Sequence, residues 1–143
     1  MHHLPFKVGT STNLNIRGII ADRNIKKGEL IEKCPLILSE IKTEERYLKK
    51  TVLWKYYYEF NNKYHALVLG FGSLINHSYT PNALYHFDFK NKYIVYKSLT
   101  DIKEGEEICV NYNFIPTSQE KLPEELMDYN KHLKVGVKNA KVH

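Results

Sequence analysis

What most constrains this chain is the shortness of its apolar segments. Gly18-Ile19-Ile20-Ala21, Leu30-Ile31-Glu32-Lys33-Cys34, Leu36-Ile37-Leu38, Ala83-Leu84-Tyr85-His86-Phe87, Tyr93-Ile94-Val95-Tyr96 and Glu107-Ile108-Cys109-Val110 are rich in β-branched or aromatic residues and bounded by turn formers. Such segments read as strands. Two boundaries repeat one pattern, Ile-Lys-x-Gly-Glu, at Ile25-Lys26-Lys27-Gly28-Glu29 and Ile102-Lys103-Glu104-Gly105-Glu106. In each, glycine supplies the positive φ of a tight turn before a strand. Between Thr43 and Phe60 the pattern changes: Thr43 precedes Glu44-Glu45-Arg46, and Leu48, Val52 and Leu53 fall near helical spacing. One helix or a set of helical turns is expected there, with Thr43 as its cap. A second short helix is expected over Gln119–Asp128, capped by Ser118 and made irregular by Pro123. The chain therefore reads as mainly β with short helical insertions.

At 143 residues the sequence fits one domain, and its 43% hydrophobic content and 11 tyrosines describe a chain that folds around a core. The formal charge of +5 permits attraction to nucleic acid, but the lysines are scattered among glutamates. The one acid-free basic stretch, Asn130 to His143, reads as a solvated tail. Cys34 and Cys109 lie far apart between strand-like residues, which gives no disulfide framework and no Cys-rich zinc site, and favours a reducing, intracellular setting. His2, His3, His65, His86, His132 and His143 show no metal-ligand spacing. No segment resembles a secretory h-region or approaches the roughly 18 to 20 apolar residues that span a bilayer, so no membrane partner is expected.

The chemistry concentrates in Gly70-Phe71-Gly72-Ser73-Leu74-Ile75-Asn76-His77-Ser78-Tyr79-Thr80-Pro81-Asn82-Ala83, directly after the apolar run Ala66 to Leu69. Its glycines permit close backbone approach, and Asn76, His77 and Ser78 supply an amide, an imidazole and a hydroxyl in succession. That combination suits a ligand pocket. It equally suits a loop in which Asn76 and Ser78 bond their own backbone.

Three ordered segments resemble the SET-domain protein lysine methyltransferases. Gly72 to Asn82 looks like that family's Asn-His-Ser-x-x-Pro-Asn signature; Ile16-Arg17-Gly18-Ile19-Ile20-Ala21, leading through Gly28-Glu29-Leu30-Ile31-Glu32, resembles its upstream motif; Gly105-Glu106-Glu107-Ile108-Cys109-Val110-Asn111-Tyr112 resembles its Gly-Glu-Glu ending before a tyrosine. The resemblance covers roughly residues 8 to 114. It implies a single domain over 1–143, with a C-terminal extension from 115, and a β-clip fold of small twisted sheets. The C-terminal segment would thread under a loop as a pseudoknot and bring Asn76-His77 beside Tyr112. Two departures stand out. Ile16 replaces the first glycine of the family's Gly-x-Gly, and no Cys-rich zinc module follows the core, so the chain resembles the minimal stand-alone members.

The resemblance implies S-adenosyl-L-methionine as cofactor, held by Arg17, Gly18, Asn76, His77, Tyr112 and, stacking on adenine, Phe114. It also implies a protein substrate bearing an accessible lysine, a histone tail being the family-level expectation, and a homodimer as in small zinc-less relatives. Tyr112 is the implied catalytic residue, its hydroxyl facing the transferring methyl and the amine. The cluster Trp54-Lys55-Tyr56-Tyr57-Tyr58 resembles the segment that supplies a second catalytic and channel tyrosine. Tyr56 aligns with it, and Tyr57 competes because a one-residue shift at Asn61-Asn62-Lys63 changes the register. A basic enzyme meeting a basic tail needs a local acidic groove, for which Asp88, Asp101, Glu104 and Glu106 are candidates. Two other readings stay open: a SET-like binding module without catalysis, and a small basic nucleic-acid binder favoured by net charge alone, although no Gly-rich phosphate loop or RNA-binding motif is present.

Overall fold

The computed structural model describes residues 3–11 and 16–122. Nine short strands form two sheets. The first contains β1 (Phe6–Thr10), β2 (Arg17–Ala21), β9 (Glu107–Val110) and β6 (Asn76–His77), in the order β1-β2-β9-β6. The second contains β4 (Tyr57–Glu59), β5 (Tyr64–Val68), β3 (Leu30–Glu40), β8 (Tyr93–Ser98) and β7 (Ala83–Asp88), in the order β4-β5-β3-β8-β7. Late strand β9 thus lies between an early strand and a mid-chain one. It pairs antiparallel with β2 and parallel with β6, where Asn76 faces Cys109 and His77 faces Val110. This is the mainly β architecture of small curled sheets expected from the sequence.

The segments 30–34 and 36–38 form one strand rather than two. Through Pro35, β3 pairs with β8, and from Leu36 onward it pairs with β5. Proline lacks the donor that a central ladder requires, so a change of partner at Pro35 is where it is tolerated. The region from Thr43 to Phe60 is broken into pieces. Helix α1 spans Ile41–Leu48, a 3-10 helix spans Val52–Tyr56, and β4 follows at once. Thr43 is not the cap, because the helix starts two residues earlier and the Thr43 hydroxyl donates to the Glu40 carboxylate at 2.9 Å. Residues 119–122 are not helical, and the rest of the expected C-terminal helix lies outside the described residues.

The repeated Ile-Lys-x-Gly-Glu turns are built alike and dock on each other. Gly28 and Gly105 have φ of 85° and 92°. Ile25 and Ile102, each 1% exposed, exchange both backbone hydrogen bonds at 2.8 Å. The residue before each isoleucine reaches across: Asn24 Oδ1 accepts the Glu104 N–H at 2.9 Å and Asp101 Oδ1 accepts the Lys27 N–H at 2.8 Å. Glu29 and Glu106 each turn back to accept an N–H from the lysine three residues earlier.

The core gathers Ile19, Ile25, Ile94, Tyr96, Ile102, Ile108 and Val110 between the sheets. Gly72 is fixed by this packing, since a Cβ there would lie inside van der Waals contact of the Tyr96 ring. Tyr96 is fully buried and cannot swing away. Gly72→Ala is therefore expected to cost about 1–3 kcal/mol through overpacking, read as a lower denaturant midpoint at unchanged slope.

Candidate active site

Two cavities meet at a common wall. The larger, about 750 Å³, is an aromatic cleft lined by Trp54, Tyr56, Tyr57, Tyr58, Tyr85 and Phe87 among others. The smaller, about 60 Å³, is a polar recess lined by Arg17, Lys55, Tyr56, Ser73, Leu74, Asn76 and Tyr112. Tyr56 and Tyr112 line both, together with Lys55 and Ser73.

Asn76 reaches the recess from the short parallel pair of β6 and β9. Its amide does not fold back on its own backbone. Nδ2 donates to the Arg17 carbonyl at 3.1 Å and to Glu107 Oε2 at 2.8 Å. Both amide hydrogens are thus consumed inside the protein, which leaves Oδ1 as an acceptor. Ser11 donates to the other Glu107 oxygen at 2.6 Å. Gly18 completes the arrangement, because a Cβ would lie 2.7 Å from Glu107 Oε2 and 2.9 Å from Asn76 Nδ2. Glycine is required here for close approach, not for positive φ. Ile16, in place of a glycine, is buried at 6% exposure, and its carbonyl accepts the Ser11 N–H at 2.6 Å. Its side chain joins the core without opening the recess.

Tyr112 is held at its hydroxyl, its N–H and its carbonyl. Its hydroxyl donates to the Ile75 carbonyl at 2.6 Å, its N–H donates to His77 Nδ1 at 3.0 Å, and its carbonyl accepts the Tyr85 hydroxyl at 3.3 Å. His77 also packs edge-on to Tyr79 at 4.4 Å. The imidazole therefore ties the two crossing segments together. Burial holds His77 below its ordinary pKa, and accepting an amide proton at Nδ1 requires the neutral ring. The hydrogen then resides on Nε2, a buried atom without a partner among the described residues. Ser78 is the local turn former, its hydroxyl accepting the Thr80 N–H at 3.0 Å. Asn82 shapes the loop from a distance, clamping β9 through the Glu107 carbonyl at 2.8 Å and the Cys109 N–H at 2.9 Å.

Of the competing tyrosines, Tyr56 lines both cavities, whereas Tyr57 lines only the cleft. Tyr57 stacks on Trp54 at 6.3 Å, with its hydroxyl 3.4 Å from Ser39 Oγ. Phe114 also lies on the cleft wall and not on the recess, in a left-handed conformation with φ of 73° and edge-on to Tyr85 at 5.5 Å. The sequence reading missed Tyr58, Tyr85 and Phe87 as cleft residues. Tyr85 and Phe87 share one face of β7, a period-2 signal that was present in the sequence. Burial pushes the Tyr58 phenol up to about 12, and Tyr96 donates to it at 3.0 Å. Burial also pushes the thiols of Cys34 and Cys109 up to about 12, with Glu32 and Glu107 respectively contributing.

None of the four acids expected to form an acidic groove lines either cavity. Asp88 accepts bonds from Asn91, while Asp101 and Glu106 hold the paired turns. Glu104, exposed, occupies the same turn. The carboxylates on the cleft wall are Glu45 and Glu59.

Residues 16–113 match the SET domain family. This chain belongs to it. A Schizosaccharomyces pombe relative, named histone-lysine N-methyltransferase, H3 lysine-37 specific, is 35% identical over 96 residues. The match covers 67% of this chain and 65% of that relative's length. A crystal structure of a Plasmodium falciparum protein, described as a candidate histone methyltransferase, superposes with a TM-score of 0.63 at 31% identity. That similarity covers 78% of this chain and 95% of the other. Among the described residues of this SET domain, no helix is long and apolar enough to cross a membrane.

The state of His77 is testable. With a folded pKa below its unfolded value of about 6.5, the neutral ring contributes stability that is fully present above pH 6.5. That contribution falls as pH drops toward the folded value. His77→Gln is expected to remove this component, seen as a smaller loss of unfolding free energy between pH 7 and pH 5 than in the wild type.

Proposed function

We propose that this SET domain is an S-adenosyl-L-methionine-dependent protein lysine N-methyltransferase. The observation that carries the reading is that a polar recess and an aromatic cleft share Tyr56 and Tyr112. One reactant can enter from each side and meet the other at the shared tyrosines. The names of both relatives point to a histone tail as substrate class, and hence to an intracellular setting. The catalytic core is taken as residues 8 to 114, with an extension over 115–143.

The donor set of the recess fits the cofactor. Asn76 Oδ1, its amide hydrogens already used, would accept from the cofactor's ammonium, and Arg17, which lines the recess, would pair with its carboxylate. His77 contributes through backbone groups, whereas Phe114, expected to stack on adenine, lies on the cleft wall and not on the recess. When bound, S-adenosylmethionine supplies a sulfonium-activated methyl group.

Tyr112 orients the acceptor amine. Because its proton points at the Ile75 carbonyl, the hydroxyl oxygen offers lone pairs to an amine N–H or to polarised methyl C–H groups, contacts that are individually small and serve alignment. Tyr56 forms the facing wall. The cleft also favours the neutral amine that nucleophilic attack requires. The burial that raises Tyr58 and Tyr85 disfavours charge, and on an amine the same effect lowers the pKa.

Labelled methyl from S-adenosylmethionine, offered with histone tails and followed by mass spectrometry, tests this reading. Label on a lysine supports it, whereas no transfer to any lysine overturns it. Tyr112→Phe is expected to reduce transfer on the order of 100-fold, with the circular dichroism spectrum unchanged. The rate in the wild type is expected to rise with pH and level off below the roughly 10.4 of a free lysine.

A further inference from the structure

The cleft is larger than a single lysine side chain requires, and its volume of about 750 Å³ falls in the range that accommodates ligands of several groups. More of the substrate than the reacting amine therefore lies against its wall, and the charges on that wall differ in how far they are already used. Glu45 is consumed, with Lys49 at 3.1 Å and His65 at 2.7 Å. Lys49 is held by that same pair and lies 5.6 Å over the Trp54 ring. Glu59 differs. Its carboxylate takes part in no hydrogen bond or ion pair among the described residues, and its side chain is exposed at the end of edge strand β4.

We propose that Glu59 selects substrates carrying a second cationic side chain beside the target lysine. This rests on the methyltransferase reading above. The carboxylate borders the cleft but not the recess, so it acts on the flanking sequence and not on the reacting amine. Its surroundings suit a cation. Phe60, the next residue, meets Phe89 at 5.0 Å and Phe87 at 5.5 Å, and these rings offer apolar and π surface beside the charge. Tyr85 lines the same cleft, with its hydroxyl bonded to the Tyr112 carbonyl. The Glu59 charge reaches Tyr85, adding to burial and to the Tyr58 contribution in holding that phenol up. A guanidinium at Glu59 would accordingly sit next to the chain of tyrosines that ends at the catalytic one. An arginine beside the lysine is the better match, because its planar fork pairs bidentately with a carboxylate and stacks on rings.

Trp54 is the single tryptophan and lines the cleft, so its fluorescence reports occupancy without any chemistry. Two peptides would be titrated, identical except that the residue flanking the lysine is arginine in one and glutamine in the other. Wild-type protein is expected to bind the arginine peptide about fivefold more tightly at low salt, with the ratio shrinking as ionic strength rises. Glu59→Gln is expected to bring the ratio to about one, and Glu59→Lys to favour a peptide with glutamate at the same place. Equal binding of the two peptides by the wild type, or a preference that survives in Glu59→Gln, overturns the proposal. If the binding preference is present but no methyl is transferred, the selectivity stands and the methyltransferase reading fails.

Discussion

The side-chain amide of Asn76 is the point on which the rest of the structure depends. It joins three segments that are remote in sequence, donating to the Arg17 carbonyl of β2 and to the Glu107 carboxylate of β9 from its own place in β6. A donor to a carboxylate in a part-buried site contributes about 1.5–3 kcal/mol, and removing it would leave Glu107 without one of its partners. The geometry leaves no slack, since a methyl group at Gly18 would strike both members of the pair. Fold and site are therefore one construction. The bonds that hold the crossing strands together also determine which atom of Asn76 faces the recess.

The two cavities are matched to opposite tasks by the elements that line them. The recess takes its polarity from strand ends and from the 3-10 turn at Gly72–Leu74. The cleft takes its low polarity from aromatic residues on β4 and β7, whose rings pack edge to face, as with Tyr58 and Tyr85 at 5.3 Å. Tyr112 belongs to neither sheet. It lies two residues beyond β9 and is positioned by Ile75, just before β6, and by His77 of β6, so its location depends on the parallel pairing.

Much of this was legible in the chain. The turn glycines and the strand segments follow from local chemistry, which is what a sequence displays, and the three ordered motifs were legible through their resemblance to the family. The failures have a common cause in tertiary pairing. Leu30–Cys34 and Leu36–Leu38 fused because each half of β3 found a different neighbour, and no local signal reports a neighbour. Tyr57–Glu59 became strand because β5 was available beside it, overriding the helical spacing upstream. The expected acids were chosen by charge alone, but the turns had already claimed Asp101 and Glu106. Which of Tyr56 and Tyr57 faces the recess depended on one residue of register at the 3-10 helix that ends at Tyr56.

The docked Ile-Lys-x-Gly-Glu turns have a consequence for the site. Together they form a clasp of near two-fold symmetry, in which each turn is closed by the same set of bonds and each borrows an oxygen from the other. One turn follows the strand that carries Arg17 and Gly18, and the other precedes the strand that leads to Tyr112. Along a strand, a slip of one residue turns every side chain to the opposite face. The clasp prevents that slip for the two strands at once, acting as an alignment pin that keeps the recess-lining residues of one strand and Tyr112 beyond the other in phase.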